Sequence, residues 1–172
     1  HFGLSMLMMV AAVGLVWNAR HEPGWREPST DRLVVWWTRV LAAIGAAALF
    51  TGTLATAAGP HAGGKPGSVE RFEPKGGETL RWIVMNHGHF AEALGVLALV
   101  LWFVLRRRNA PRDLQRAITN VVLLVGAQGV VGMLQWRHQL PAELVWIHIV
   151  LATATWVAIL WATFTAGRLA RR

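Results

Sequence analysis

Cysteine and tyrosine are both absent from the 172 residues, and charge is scarce, at 15% of positions. Without cysteine there is no disulfide, no thiolate cluster and no thioether attachment, so any prosthetic group is held non-covalently. Acidic side chains are few, nine against seventeen Lys and Arg. What fills the chain instead is apolar: 54% hydrophobic residues and a mean hydropathy of +0.39. That is too apolar for an ordinary soluble domain.

The apolar residues fall into five runs, 2–17, 34–58, 82–105, 117–136 and 144–167. Runs of about 20 such residues cross the hydrocarbon core of a bilayer as helices. The expected fold is an all-α integral membrane protein, an antiparallel four-helix transmembrane bundle with one preceding transmembrane helix. The first run begins without an initiator Met or a charged flank. It also lacks the basic start and small-residue cleavage site of a secretory signal. Residues 1–17 therefore read as the last helix of a truncated N-terminal bundle, 18–33 as a cytoplasmic connector, and 34–172 as the four-helix unit. Loop 59–81, rich in Gly and Pro, is the one long excursion and reads as irregular.

Basic residues mark the orientation. Arg20, Arg26, Arg32, Arg106, Arg107, Arg108, Arg112, Arg116, Arg168, Arg171 and Arg172 fall on one side of the expected bundle. Lys65, Arg71, Lys75, Arg81 and Arg137 fall on the other, diluted by Glu70, Glu73, Glu78 and Glu143. Eleven against five is the positive-inside bias, which puts the Arg106–Arg108 loop and the C-terminus in the cytoplasm of a multi-pass plasma-membrane protein. A nucleic-acid role for these arginines is disfavoured by the same distribution. Of the ten tryptophans, Trp17, Trp36, Trp37, Trp82, Trp102, Trp136 and Trp146 sit at run ends, as an interfacial aromatic belt would place them.

Histidine is what the apolar runs carry unexpectedly. His1 opens the first, His87 lies near the start of the third and His148 near the start of the fifth. A polar group inside a membrane is costly unless it is used. Two neutral imidazoles at equal depth on neighbouring helices are what a six-coordinate haem iron needs. His87 follows Trp82, and His148 follows Glu143, by the same number of residues, and Gly88, Ala91, Gly95 and Ala98 form a small-residue strip beside the former. The competing reading is a pair of core histidines hydrogen-bonded across helices. His89 lies about 200° round the helix from His87 and is better placed to pair with Glu92 one turn on. Gln128 and Gln135 share a face of the fourth run, as interhelical hydrogen-bond donors or as contacts to a haem edge. Arg137 can reach back over the bundle mouth toward haem propionates, with Arg81 second to it; the alternative is that both snorkel to lipid headgroups.

The strings TGTLATAAGPHAG, NHGHFAEA and QGVVGMLQWRHQLPAELVWIHIVLA together resemble the C-terminal half of haem A synthase, the cytochrome oxidase assembly factor, and the resemblance extends over essentially the whole chain. It implies eight transmembrane helices in two pseudo-symmetric halves, of which this chain begins at the fourth. It implies an oxidoreductase converting haem O to haem A by oxidising a ring methyl to a formyl group, with haem O synthase and cytochrome oxidase as candidate partners. It makes His87 and His148 the ligands of a haem b and His1 the second ligand of the substrate half. That half's first histidine and its glutamate would lie upstream of residue 1. His61 falls in the GPHAG string, as a loop-structuring or haem-edge residue. Gly64 departs from the family, which commonly has aspartate there. Two other classes stay open: a b-type membrane cytochrome relaying electrons to quinone, expected to carry a second histidine pair near the inner face, and a non-catalytic assembly protein with structural histidines.

Overall fold

In hydrocarbon every backbone N–H and C=O must be satisfied within its own segment, so apolar runs of this length become helices. The computed structural model describes residues 2–21, 28–29, 31–59 and 77–169. It contains α1 (Phe2–Arg20), α2 (Arg32–Ala58), α3 (Gly77–Arg107), α4 (Arg112–Arg137) and α5 (Ala142–Thr165). All five are long and apolar enough to cross a membrane. The chain is a multi-pass, all-α membrane protein. The helices run past the apolar spans read from the sequence. α3 begins five residues before Trp82, and α4 five residues before Ala117. Backbone hydrogen bonding does not stop where hydropathy does.

Threonines in the spans return their hydroxyl hydrogen to the helix itself: Thr53 Oγ1 to the Leu49 carbonyl at 2.9 Å, Thr155 Oγ1 to Leu151 at 2.7 Å. They are thereby satisfied without water.

Helix α2 packs on α3 and α5, α3 on α4, and α4 on α5, closing a four-membered ring with α1 laid against α5. The two short links use one device. The N–H of Ala110 bonds the carbonyl of Leu105 at 3.0 Å, and that of Leu140 bonds Gln135 at 2.7 Å. Asn109 and Gln139 occupy the left-handed region at φ 50° and 61°. Pro111 and Pro141 then open the next helix. Such i→i−5 closures followed by proline stop one helix and start an antiparallel neighbour. At the end of the bundle that carries the α3–α4 link, Asp31 caps α2 by accepting from the Val34 N–H and takes a 2.7 Å bond from Arg108, just past α3. A two-residue parallel pairing, Pro28 with Arg168 and Ser29 with Leu169, lies at this end too.

The packing is lopsided. Leu41, Ala98, Leu105, Ile118, Val121, Ile159 and Ala162 are almost fully buried, and all belong to the half of the bundle nearest Asp31 and Arg108. In the other half α4 buries nothing past Val121, and α5 buries nothing before Thr155. The tryptophan belt is also uneven. Trp36, Trp37, Trp82, Trp136 and Trp146 are exposed as expected. Trp17 is buried instead, donating to Thr165 Oγ1 at 3.3 Å. Trp102 donates to Thr119 Oγ1 at 3.1 Å. An indole N–H inside a bundle needs an acceptor, and these two found threonines rather than headgroups.

Candidate functional site

The loosely packed half of the bundle holds His87 on α3 and His148 on α5, their ring centroids 6.1 Å apart and their planes at 74°. The two helices are diagonal in the ring, not the neighbours expected, so the imidazoles converge across the bundle axis. His87 Nδ1 lies 3.0 Å from the Ala48 carbonyl and 3.4 Å from Thr51 Oγ1 on α2. A carbonyl can only accept, and the Thr51 hydroxyl is turned to the Ala47 and Ala48 carbonyls at 2.9 and 3.1 Å. Nδ1 therefore carries the proton and the Nε2 lone pair is left for another use.

Glycines make the approach possible. A methyl at Gly52 would stand 3.0 Å from His87 Cε1 and 3.2 Å from its Nδ1. A methyl at Gly132 would stand 3.3 Å from His148 Cε1. The small-residue strip expected beside His87 does something else: Ala98 is core, Gly95 faces Val125, and only Gly88 opens onto free space. Gly52 and Gly132 were missed because their partners lie on other helices. Their nearest sequence signal is that Gly132 sits one turn from Gln128.

Does this arrangement suit a haem? The 6.1 Å separation is compatible with one metal held between the two rings, and it is equally an ordinary edge-to-face ring contact. Among the described residues no group of three or more metal-ligating side chains occurs. Two protein ligands are too few for a structural zinc, and they suit a metal that brings its own equatorial nitrogens. Half-buried side chains and glycines line this end. The donor set, two imidazoles of which one has its Nδ1 held on a carbonyl, fits the group.

Comparison with protein-family models, curated proteins and solved structures found no match.

The remaining expected residues divide. The Gln128 amide lies against His148, 3.0 Å from Nδ1. Gln135 stays off the pair, with its side-chain oxygen buried and without a hydrogen-bond partner. Arg137 and Arg81 are exposed at the histidine end of α4 and α3. His89 and Glu92 do share a face, but no ion pair or hydrogen bond joins them. Both line an apolar groove of about 580 Å³ between α2 and α3, on the outside of the bundle, with Arg108 at its far end. Both side chains are exposed. His1, His61 and Gly64 lie outside the described residues. His21, at the opposite end, stacks on Trp17 at 3.9 Å and stands as a single imidazole.

Proposed function

We propose that this chain is the haem b-binding portion of a haem A synthase-type membrane oxidoreductase. The observation that carries the proposal is the convergence of His87 and His148 at 6.1 Å across the bundle axis. The sequence strings around them point to the same family. His87 and His148 would hold a haem b here, and that group would supply one-electron transfer. The chain's own residues hold and orient it. Ala48 presents a carbonyl that fixes the His87 tautomer and leaves its Nε2 lone pair uncommitted. Gly52 and Gly132 let both rings sit close to backbone. The apolar helix faces keep bulk water from the site, and Arg137 is available at its mouth to meet carboxylates. Conversion of haem O to haem A belongs to a substrate site in which His1 would take part.

On this reading the Arg106–Arg108 turn and the C-terminus face the cytoplasm, the membrane is the plasma membrane, and the histidine pair lies toward the outer face. Electron relay without haem modification is the second reading; it calls for a second imidazole pair near the inner face, where His21 is the one described histidine. Co-expression with a haem O synthase, followed by extraction and chromatography of the haem, separates the two. The proposal expects a low-spin b-type spectrum in purified protein and haem A in the extract. A b-type spectrum with haem O left unconverted would select the relay. A haem-free protein would refute both.

A further inference from the structure

The two histidines differ in what faces their Nδ1 atoms. For His87 it is a backbone carbonyl, which accepts only. For His148 it is the Gln128 amide, which can donate or accept. Only one orientation of that amide satisfies all three of its neighbours. Its nitrogen donates to His148 Nδ1 at 3.0 Å and to the His148 carbonyl at 3.1 Å, and its oxygen accepts from the Ala152 N–H at 3.0 Å. In that orientation His148 Nδ1 is an acceptor, so the ring proton sits on Nε2, the nitrogen that would ligate a metal.

Resting on the haem-pair reading above, we infer that Gln128 is a positioning residue that biases His148 toward its non-ligating tautomer and makes it the exchangeable ligand, while His87 is the permanent one. For His148 to ligate through Nε2 the proton must move to Nδ1 and the amide must turn over to accept it. The turned amide then sets its oxygen against the His148 carbonyl and its N–H₂ against the Ala152 N–H, losing both satisfied contacts. Ligation at His148 is opposed by that loss; ligation at His87 meets no such opposition. Groups that hydrogen-bond the far nitrogen of a ligating histidine commonly change metal affinity by about 10- to 100-fold. Here the partner works against ligation, so its removal should strengthen the bond.

The test has two arms on the full chain in lipid nanodiscs. In protein prepared without haem and labelled with ¹⁵N-histidine, the nitrogen shifts should report an Nε2–H tautomer for His148 and an Nδ1–H tautomer for His87. Nδ1–H in both would overturn the inference whether or not the protein takes up haem. In haem-loaded protein, carbon monoxide should bind the reduced wild type by displacing His148. Gln128→Glu, which can only accept from Nδ1–H, should weaken that binding at least tenfold and lower the midpoint potential. Gln128→Met, near in size and unable to donate, should weaken it in the same direction and serves if the carboxylate variant fails to fold. A residue that merely fills space would give the opposite sign, a looser ligand in both variants, and that result or unchanged carbon monoxide binding in both overturns the inference. Failure of the wild type to bind haem refutes the ligand-pair reading instead, and the tautomer arm still decides the role of Gln128.

Discussion

Adding one methyl group at Gly52 is the sharpest perturbation of the histidine site. The new carbon would meet His87 at 3.0 Å (Cε1), 3.2 Å (Nδ1) and 3.7 Å (Nε2), so the ring must give by a few tenths of an ångström. It cannot give freely, because Nδ1 is tied to the Ala48 carbonyl at 3.0 Å on the same helix that carries the methyl. Overpacking of this kind costs about 1–3 kcal/mol. The lower part of that range applies, since a small ring shift rather than a backbone shift relieves the contact. About 1–2 kcal/mol expressed in haem binding is roughly a 5- to 30-fold rise in dissociation constant. Global stability should not fall, because alanine is about 1 kcal/mol better than glycine inside a helix. Gly126→Ala, where nothing lies within 4 Å, carries the same helix gain without the clash and is the control. Haem titration of both variants, followed at the Soret band, gives the answer. Equal affinities in Gly52→Ala and Gly126→Ala, with an unshifted reduced α-band, would refute the placement of His87 at the haem.

Ligand removal is the coarser test: His87→Ala and His148→Ala should each abolish the low-spin spectrum, and His89→Ala should leave it intact. Arg137→Ala should lower haem occupancy, whereas Arg108→Ala, at the other end of the bundle, should not; equal haem content in the Arg137 variant would remove it from the site. At Asp31, burial alone would raise the carboxyl, but the Arg108 guanidinium and the N–H groups of Val34 and Leu33 outweigh it and hold it below its ordinary value of 3.8. A carboxyl depressed by folding stabilises above its unfolded value, and that contribution is lost as pH falls through its lower folded value, so melting in detergent should soften only below about pH 4. The pair is partly exposed, 50% and 34% by side chain, so Asp31→Asn, which keeps the cap, should cost no more than about 1 kcal/mol. Asp31→Ala, which loses cap and pair together, should cost about 0.5–2 kcal/mol, and equal melting of the two variants would show that the cap contributes nothing.

The membrane character, the five helices and the four-helix arrangement were legible in composition and run length, because a bilayer leaves an apolar run of about 20 residues almost no other structure. Both short links place a proline, Pro111 or Pro141, at the start of the next helix, where one helix must yield. His87 and His148 stood out for the same reason, as polar groups in a place where polarity is expensive. What the one-dimensional pattern could not carry was which faces meet. Depth counted along each helix suggested that the two imidazoles match, but only the packing set them on diagonal helices 6.1 Å apart. Spacing put His89 and Glu92 on one face, and tertiary structure turned that face outward into a groove rather than pairing them. The roles of Ala48, Thr51, Gly52 and Gly132 depend wholly on the rotation of one helix against another. Helix formation is a local matter of backbone satisfaction, so it reads from sequence; the hydrogen bond from a ring on α3 to a carbonyl on α2 exists only once the bundle has closed.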